Sequence, residues 1–244
     1  MKPILEGKVA IVTGSSSGIG EAIARLFAAE GAAVVVNSAR SVAAGEALAA
    51  ELPEAIYVRA DVAREDQAKA LVQAALDRWG RLDVLVNNAG ATRVIPHHAL
   101  DAVTDEDWQR ILGVNVLGTW YVTRAAVPAL KAQRGSILNI TSVAGVRAAG
   151  SSIPYAVSKA ALNHLTRLLA NVLGPEIRVN AVAPGLIDTP WTADWDAIRA
   201  SVRERAPLQR SGTPDDIARA ALLLTASSYS TGEVLLADGG INLR

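Results

Sequence analysis

No cysteine occurs among the 244 residues. That excludes disulfides, thiolate metal sites and cysteine nucleophiles. The three histidines, His97, His98 and His164, show no metal-ligand spacing such as H-E-x-x-H, so no metal is expected. Neither sign of charge is in excess, with 24 Lys and Arg against 24 Asp and Glu. A balanced chain gives no support to a broad nucleic-acid surface. No run approaches the roughly 18 apolar residues of a membrane helix. Glu6, Gly7 and Lys8 interrupt the apolar residues near the start, so a signal-peptide core is missing. These absences predict a cytoplasmic protein with neither a nucleic-acid nor a membrane partner.

Half of the residues are apolar and 20% are charged, which permits a substantial core and argues against disorder. Seven short, largely apolar runs cover 8–13, 32–37, 55–60, 82–87, 135–141, 177–183 and 233–238. Nearly continuous apolar runs mark strands covered on both faces, as in parallel sheets. Helical patterns lie between them, at 20–31, 43–50, 64–80, 104–132, 153–174 and 213–227. Thr104 and Thr213 are placed as N-caps, Pro214 at a first helical position, and Gly31 and Gly80 just past helix ends. The alternation predicts right-handed crossovers and an α/β, doubly wound Rossmann fold. Its sheet is expected to be seven-stranded and mostly parallel, with helices on both faces. Without a repeat or a composition break, residues 1–244 read as one dinucleotide-binding and catalytic domain.

The stretch TGSSSGIG (13–20) follows the first strand and opens the first helix. Gly14 permits a tight turn, Gly18 a close backbone approach to a pyrophosphate, and Gly20 close helix–strand packing. Phosphates then meet the free N–H groups of a helix N-terminus. The spacing is T-G-x-x-x-G-x-G, and NNAG (87–90), YAVSK (155–159), APG (183–185) and ADGG (237–240) accompany it. Together these motifs resemble the short-chain dehydrogenase/reductase family, in its compact single-domain branch. The resemblance spans residues 6–242, and the overall pattern is similar to 3-oxoacyl-carrier-protein reductases.

The resemblance implies a catalytic set of Asn115, Ser142, Tyr155 and Lys159. Tyr155 and Lys159 are four apart and share a helix face. A free tyrosine titrates near about 10, and an ammonium one turn away favours the phenolate. A lowered pKa makes Tyr155 a better acid or base. By resemblance, Tyr155 gives the proton and Ser142 holds the substrate oxygen. Lys159 bonds the nicotinamide ribose, and Asn115 interrupts the helix and holds a water linked to Lys159. Ser15, Ser17 and Ile19 join the three glycines around the cofactor. Asp61 and Val62 border the adenine, and Asn88, Ala89 and Gly90 run under the adenosine ribose and pyrophosphate. Pro184, Gly185, Ile187 and Thr189 meet the nicotinamide and phosphate.

The second strand ends in VVVNSARS (34–41) with no acid. NAD-preferring members carry one where Ser38 stands, and it would repel a 2′-phosphate. Arg40 can offer that phosphate a bidentate contact, with smaller donors in Asn37, Ser38 and Ser15. Many NADP-preferring relatives have a basic residue where Ser17 stands here. The expectation is NADP(H) favoured over NAD(H).

Residues 186–212 read as a substrate lid. Leu186, Trp191 and Trp195 would form one wall, and Val94, Val143 and Ile153 the other. Such walls suit an apolar or aromatic carbonyl or alcohol. One alternative is a 3-oxoacyl-carrier-protein reductase, for which Lys131 and Arg134 provide part of a basic patch and Glu176 opposes it. Another is a non-catalytic dinucleotide sensor or scaffold, against which the complete four-residue set argues. The resemblance implies a homotetramer, with a dimer as the alternative. The segments 104–132 and 153–174 carry Trp120, Val122, Leu162 and Leu165 on more than one face.

Arg40→Ala is expected to raise the KM for NADPH far more than that for NADH in steady-state assays with each cofactor. Equal effects would remove Arg40 from the phosphate site.

Overall fold

The apolar runs form strands, five of them covered on both faces and the two edge strands half-buried. The computed structural model describes residues 3–244, so the first two residues of the expected domain lie outside the described residues. The strands are β1 (Val9–Val12), β2 (Ala33–Ser38), β3 (Ala55–Arg59), β4 (Val84–Asn87), β5 (Ser136–Ile140), β6 (Arg178–Pro184) and β7 (Val234–Ala237). They form one sheet in the order β3-β2-β1-β4-β5-β6-β7. Every pairing is parallel.

Alternate residues of β1 serve opposite layers. Ala10 and Val12 pack with α1 (Gly18–Ala29), α2 (Val42–Glu51) and α8 (Pro214–Ala226). Val9 and Ile11 pack with α3 (Glu65–Trp79), α5 (Thr119–Gln133) and α6 (Ile153–Leu173). The Thr104 and Thr213 hydroxyls accept from the backbone N–H groups of Asp107 and Asp216, completing capping boxes for α4 (Asp105–Leu112) and α8. Gly80 closes α3 in the left-handed region at φ 68°.

Two segments give form to the sequence expectation, one of them the interruption implied at Asn115. The stretch 104–132 is not one α-helix: a π-helical segment, Gly113–Gly118, separates α4 from α5. Buried Asn115 sends its side chain out of the helix to Ala91 and Ser158, and its carbonyl accepts from the Thr119 hydroxyl at 2.8 Å. These added partners support the wider winding. The stretch 186–212 contains a helix of its own, α7 (Asp196–Arg205), none of whose residues is buried.

The chain leaves β1 toward one face of the sheet and β4 toward the other. A crevice therefore opens at the carboxyl ends of these neighbours, where such folds bind ligands. The amino ends are held by Asp83, which is buried. Its carboxylate accepts from the Val9 N–H at 3.0 Å, from Lys8 Nζ at 3.2 Å and from Arg81 Nε and Nη2 at 2.8 and 2.7 Å. Burial alone would raise its pKa, but the bonds from Arg81, Val9 and Lys8 outweigh it and hold the carboxyl below its ordinary range. A depressed folded pKa means the stabilisation is complete at neutral pH and is lost as pH falls through the folded value. Asp83→Asn is therefore expected to cost about 2 kcal/mol in urea unfolding at pH 7, with the gap to the native chain closing in strong acid.

Candidate active site

The glycine turn takes its shape from the loop after β4. Gly14 and Gly18 have φ of 61° and 60°, a region that disfavours side chains. A Cβ on Gly14 would lie 2.8 Å from Ala89 Cα, and one on Gly20 would lie 2.4 Å from Asn88 Nδ2. The Thr13 hydroxyl donates to the Val86 carbonyl at 3.3 Å and accepts from the N–H groups of Asn88 and Ala89 at 2.9 and 3.0 Å. The Asn88 amide returns two bonds of 2.9 Å, to the carbonyls of Thr13 and Gly14. Ser17, the N-cap of α1, makes no side-chain bond to the helix, so the first N–H groups keep their donor capacity. Across the crevice, a Cβ on Gly18 would come within 3.3 Å of Thr189 Cγ2. A bare backbone cradle facing uncapped donors fits a dinucleotide pyrophosphate.

Ser15 and Asn37 sit at this turn but use their side chains inside the fold. Ser15 Oγ donates to the Val12 carbonyl at 2.7 Å and accepts from the Asn37 N–H at 2.9 Å. Asn37 Oδ1 accepts from the Gly14 N–H at 3.2 Å, and its Nδ2 donates to Val58 and Ala60 at 3.0 and 3.1 Å. The expectation that they donate to a 2′-phosphate is thus corrected: they fasten the turn to β2 and β3. Ser38 Oγ is paired with the Tyr57 hydroxyl at 2.9 Å. Arg40 is exposed, and no carboxylate pairs with it among the described residues. Asp61 accepts from the Ala63 N–H at 3.0 Å, and Val62 is buried where a Cβ on Gly118 would meet it at 2.8 Å. Ile19 packs against the core beneath the turn.

On the other side of the crevice, Ser142 follows β5 and accepts from the Ala144 N–H at 3.1 Å. Its loop is pressed onto α6: a Cβ on Gly145 would lie 2.6 Å from the Lys159 carbonyl carbon. This contact, which the motifs did not signal, sets Ser142 against Tyr155. Burial holds the Tyr155 phenol above its ordinary value, with the nearby Ser142 acting in the opposite direction. Burial lowers the Lys159 ammonium to about 8. Lys159 Nζ donates to the Ile140 carbonyl at 2.9 Å and lies 5.6 Å from the centre of the Tyr155 ring. The sequence expectation assigned the lowering of Tyr155 to Lys159. In the structure the phenol is instead held above its ordinary value by burial, and Lys159 is turned toward Ile140.

Asn115 joins the two sides. Its Oδ1 accepts from the Ala91 N–H at 2.7 Å, and its Nδ2 donates to the Ala91 carbonyl at 3.0 Å and to Ser158 Oγ at 2.8 Å. Ser158 donates in turn to the Tyr155 carbonyl at 2.7 Å. Ser158 was not singled out from the sequence, although it lies inside the YAVSK motif.

The third wall is 186–212. Ile187 is buried, and the Thr189–Thr192 hydroxyl pair folds the chain beside Pro184 and Gly185. Arg199 knits the segment, bonding Asp188 and Asp196 at 2.8 Å each, the Ala193 carbonyl at 3.2 Å and also the Thr192 carbonyl. Trp191 reaches across to Gly90, whose Cβ would lie 3.5 Å from the indole. Trp195 caps α7 and is half-buried, as are Val143 and Ile153. Two expected wall residues fall elsewhere. Val94 is 55% exposed, and Leu186 borders a cavity of about 400 Å³ with Pro207, Leu208 and Leu236 on the β7 side.

Known proteins share this arrangement along nearly the whole chain. A family model described as enoyl-(acyl carrier protein) reductase matches residues 14–242. A Streptomyces violaceoruber protein named as ketoacyl reductase 2 of the granaticin polyketide synthase is 58% identical over 242 residues, covering 98% of this chain and 97% of the relative. The 3-oxoacyl-(acyl-carrier-protein) reductase of Thermotoga maritima is 41% identical, covering 97% and 98%. The crystal structure of a Brucella melitensis short-chain dehydrogenase/reductase, named glucose/ribitol dehydrogenase, superposes with a TM-score of 0.93 at 35% identity, covering 99% of both chains. Similarity at this level, from the first glycine of the turn to the last strand, places the chain in the short-chain dehydrogenase/reductase family, whose members are NAD(P)-dependent oxidoreductases.

Proposed function

We propose that this chain reduces the keto group of an apolar or aromatic carbonyl compound with NADPH, and that Ser142, Tyr155, Lys159 and Asn115 carry the chemistry. The observation that carries this reading is the buried Lys159 ammonium 5.6 Å from the centre of the Tyr155 ring, one helical turn away on α6, with Ser142 just past the end of β5. The bound nicotinamide supplies the hydride. Tyr155 delivers the proton to the carbonyl oxygen. The Ser142 hydroxyl donates to the same oxygen and stabilises the charge that develops there. Lys159 spends one N–H on Ile140, keeps its other protons for the ribose, and supplies positive charge. Asn115 maintains the π-helical opening behind Lys159 and ties it to Ala91.

The cofactor lies along Gly14, Gly18 and Gly20, with Asp61 and Val62 at the adenine and Ile187 and Thr189 at the nicotinamide. The missing acid at Ser38 and the unpaired Arg40 support NADPH over NADH. The names of the two sequence relatives support a second, narrower reading, a 3-oxoacyl thioester on a carrier protein. The segment 186–212 acts as a lid, with Trp191 toward the substrate. The exposed Leu117, Trp120, Leu168 and Val172 support a homotetramer built on α5 and α6. No helix among the described residues is long and apolar enough to cross a membrane, which supports the cytoplasmic reading. Residues 1–244 act as one catalytic domain.

A panel of aliphatic, aromatic and 3-oxoacyl carbonyls, followed by NADPH oxidation, is expected to give turnover that Tyr155→Phe lowers by about 10²-fold or more. Turnover no higher than in that variant would leave a non-catalytic dinucleotide-binding protein. The pH profile carries a second expectation. Lys159 loses its charge as pH rises through about 8, whereas the raised Tyr155 phenol keeps its proton there. The kcat/KM for NADPH, which reports the free enzyme, should fall above about pH 8. Lys159→Arg, which cannot deprotonate in this range, should lose that fall in its residual activity.

A further inference from the structure

The carboxyl end of β3 lies beside the Ser38 hydroxyl, and no motif points to it. Ser38 is paired in register with Arg59. Tyr57, two residues earlier on the same face of β3, packs into the α1–α2–α8 layer. A Cβ on Gly45 of α2 would lie 2.3 Å from Tyr57 Cε2, so the ring lies flat against the helix backbone and is held there. Its hydroxyl has two partners, both on Ser38: Oγ at 2.9 Å and the carbonyl at 3.4 Å. A phenol has one proton to give. Given to the nearer Oγ, it leaves the Ser38 proton available to a further acceptor at the edge of the fold.

Arg59 is fastened differently. Its Nε donates to the Ala39 carbonyl at 3.3 Å, and its two terminal nitrogens have no protein partner among the described residues. Arg25, Arg78 and Arg124 all find carboxylates, whereas Arg40 and Arg59, on either side of Ser38, do not. Two guanidinium groups without carboxylate partners among the described residues, one two residues beyond the nearly buried Ser38 and one opposite it in register, make a site for a doubly charged oxyanion.

We infer that β3 supplies half of the subsite for the 2′-phosphate of NADPH: Arg59 contacts the phosphate, and Tyr57 positions the Ser38 hydroxyl that meets it. This rests on the NADPH reading above. Arg59 is a contact residue, and Tyr57 is a positioning residue that acts through Ser38.

The test uses the full chain and titration calorimetry with two probes, 2′,5′-ADP and 5′-AMP, which differ by the phosphate in question. The native chain should bind 2′,5′-ADP more tightly. Tyr57→Phe keeps the ring against Gly45 and should weaken 2′,5′-ADP about 3- to 10-fold, and Arg59→Gln about 10-fold or more. Neither should change 5′-AMP binding. Tyr57→Phe should add nothing in a Ser38→Ala background, because both remove the same donor. Equal weakening of both probes, or an additive double variant, overturns the role of Tyr57. A native preference for 2′,5′-ADP that survives both single variants overturns the whole inference and leaves the NADPH reading standing. A native chain that binds both probes equally overturns the two together.

Discussion

The seam between β1 and β4, closed by the Thr13 hydroxyl and the Asn88 amide, is the constraint on which the site depends. These two strands part company at their carboxyl ends, and beyond the last backbone bond, from the Thr13 N–H to the Val86 carbonyl, side-chain bonds hold their loops in register. Close approach of the loops is what demands glycine at Gly14 and Gly20. The same loop continues to Ala91, which Asn115 grips with both atoms of its amide. Asn115 then reaches Ser158, and Ser158 reaches the Tyr155 carbonyl. One chain of short polar contacts thus runs from the phosphate turn to the proton donor. Buried amides and hydroxyls in such a chain must all be satisfied, so its members are held in single orientations.

Charge is managed by burial more than by pairing at the catalytic end. Lys159 is buried, with a backbone carbonyl and no carboxylate bonded to its ammonium. Desolvation weakens its hold on its proton, and the same desolvation strengthens the hold of Tyr155 on its own. The two groups are driven apart on the pH scale, Lys159 downward and Tyr155 upward. Tyr155 therefore carries its proton at neutral pH, ready for transfer to a substrate oxygen.

Much of this was legible in the sequence, for particular reasons. All seven strands were found: five are buried almost throughout and read as apolar runs, and the half-buried edge strands β3 and β7 still carry mainly apolar residues. The caps at Thr104 and Thr213 were found because capping depends on local chemistry. The interruption at Asn115 was implied by the resemblance, but the partners that hold it, at Ala91 and Ser158, were not legible because they lie far from Asn115 in sequence. Ser15 and Asn37 were placed at the right turn but given the wrong task. Spacing locates a hydroxyl or an amide without saying which way it points, and these point inward. Leu186 and Val94 were assigned to a wall from proximity in the chain, whereas the path of the backbone turns one to another cavity and the other outward. Tyr57, Arg59 and Gly145 belong to no motif, and only packing reveals them.

An all-parallel sheet has two unlike poles. At the pole of strand carboxyl ends lie the glycine turn, Ser142, Tyr155 and Lys159. At the opposite pole lies Asp83, clamped by Lys8, Arg81 and the Val9 N–H, with no part in the crevice. Folding strength and chemical competence are therefore inherited from different ends of the same strands. A lineage can drift in thermal tolerance through changes around Asp83 while its chemistry stays still, and it can acquire new substrates at the other pole without first rebuilding its foundations.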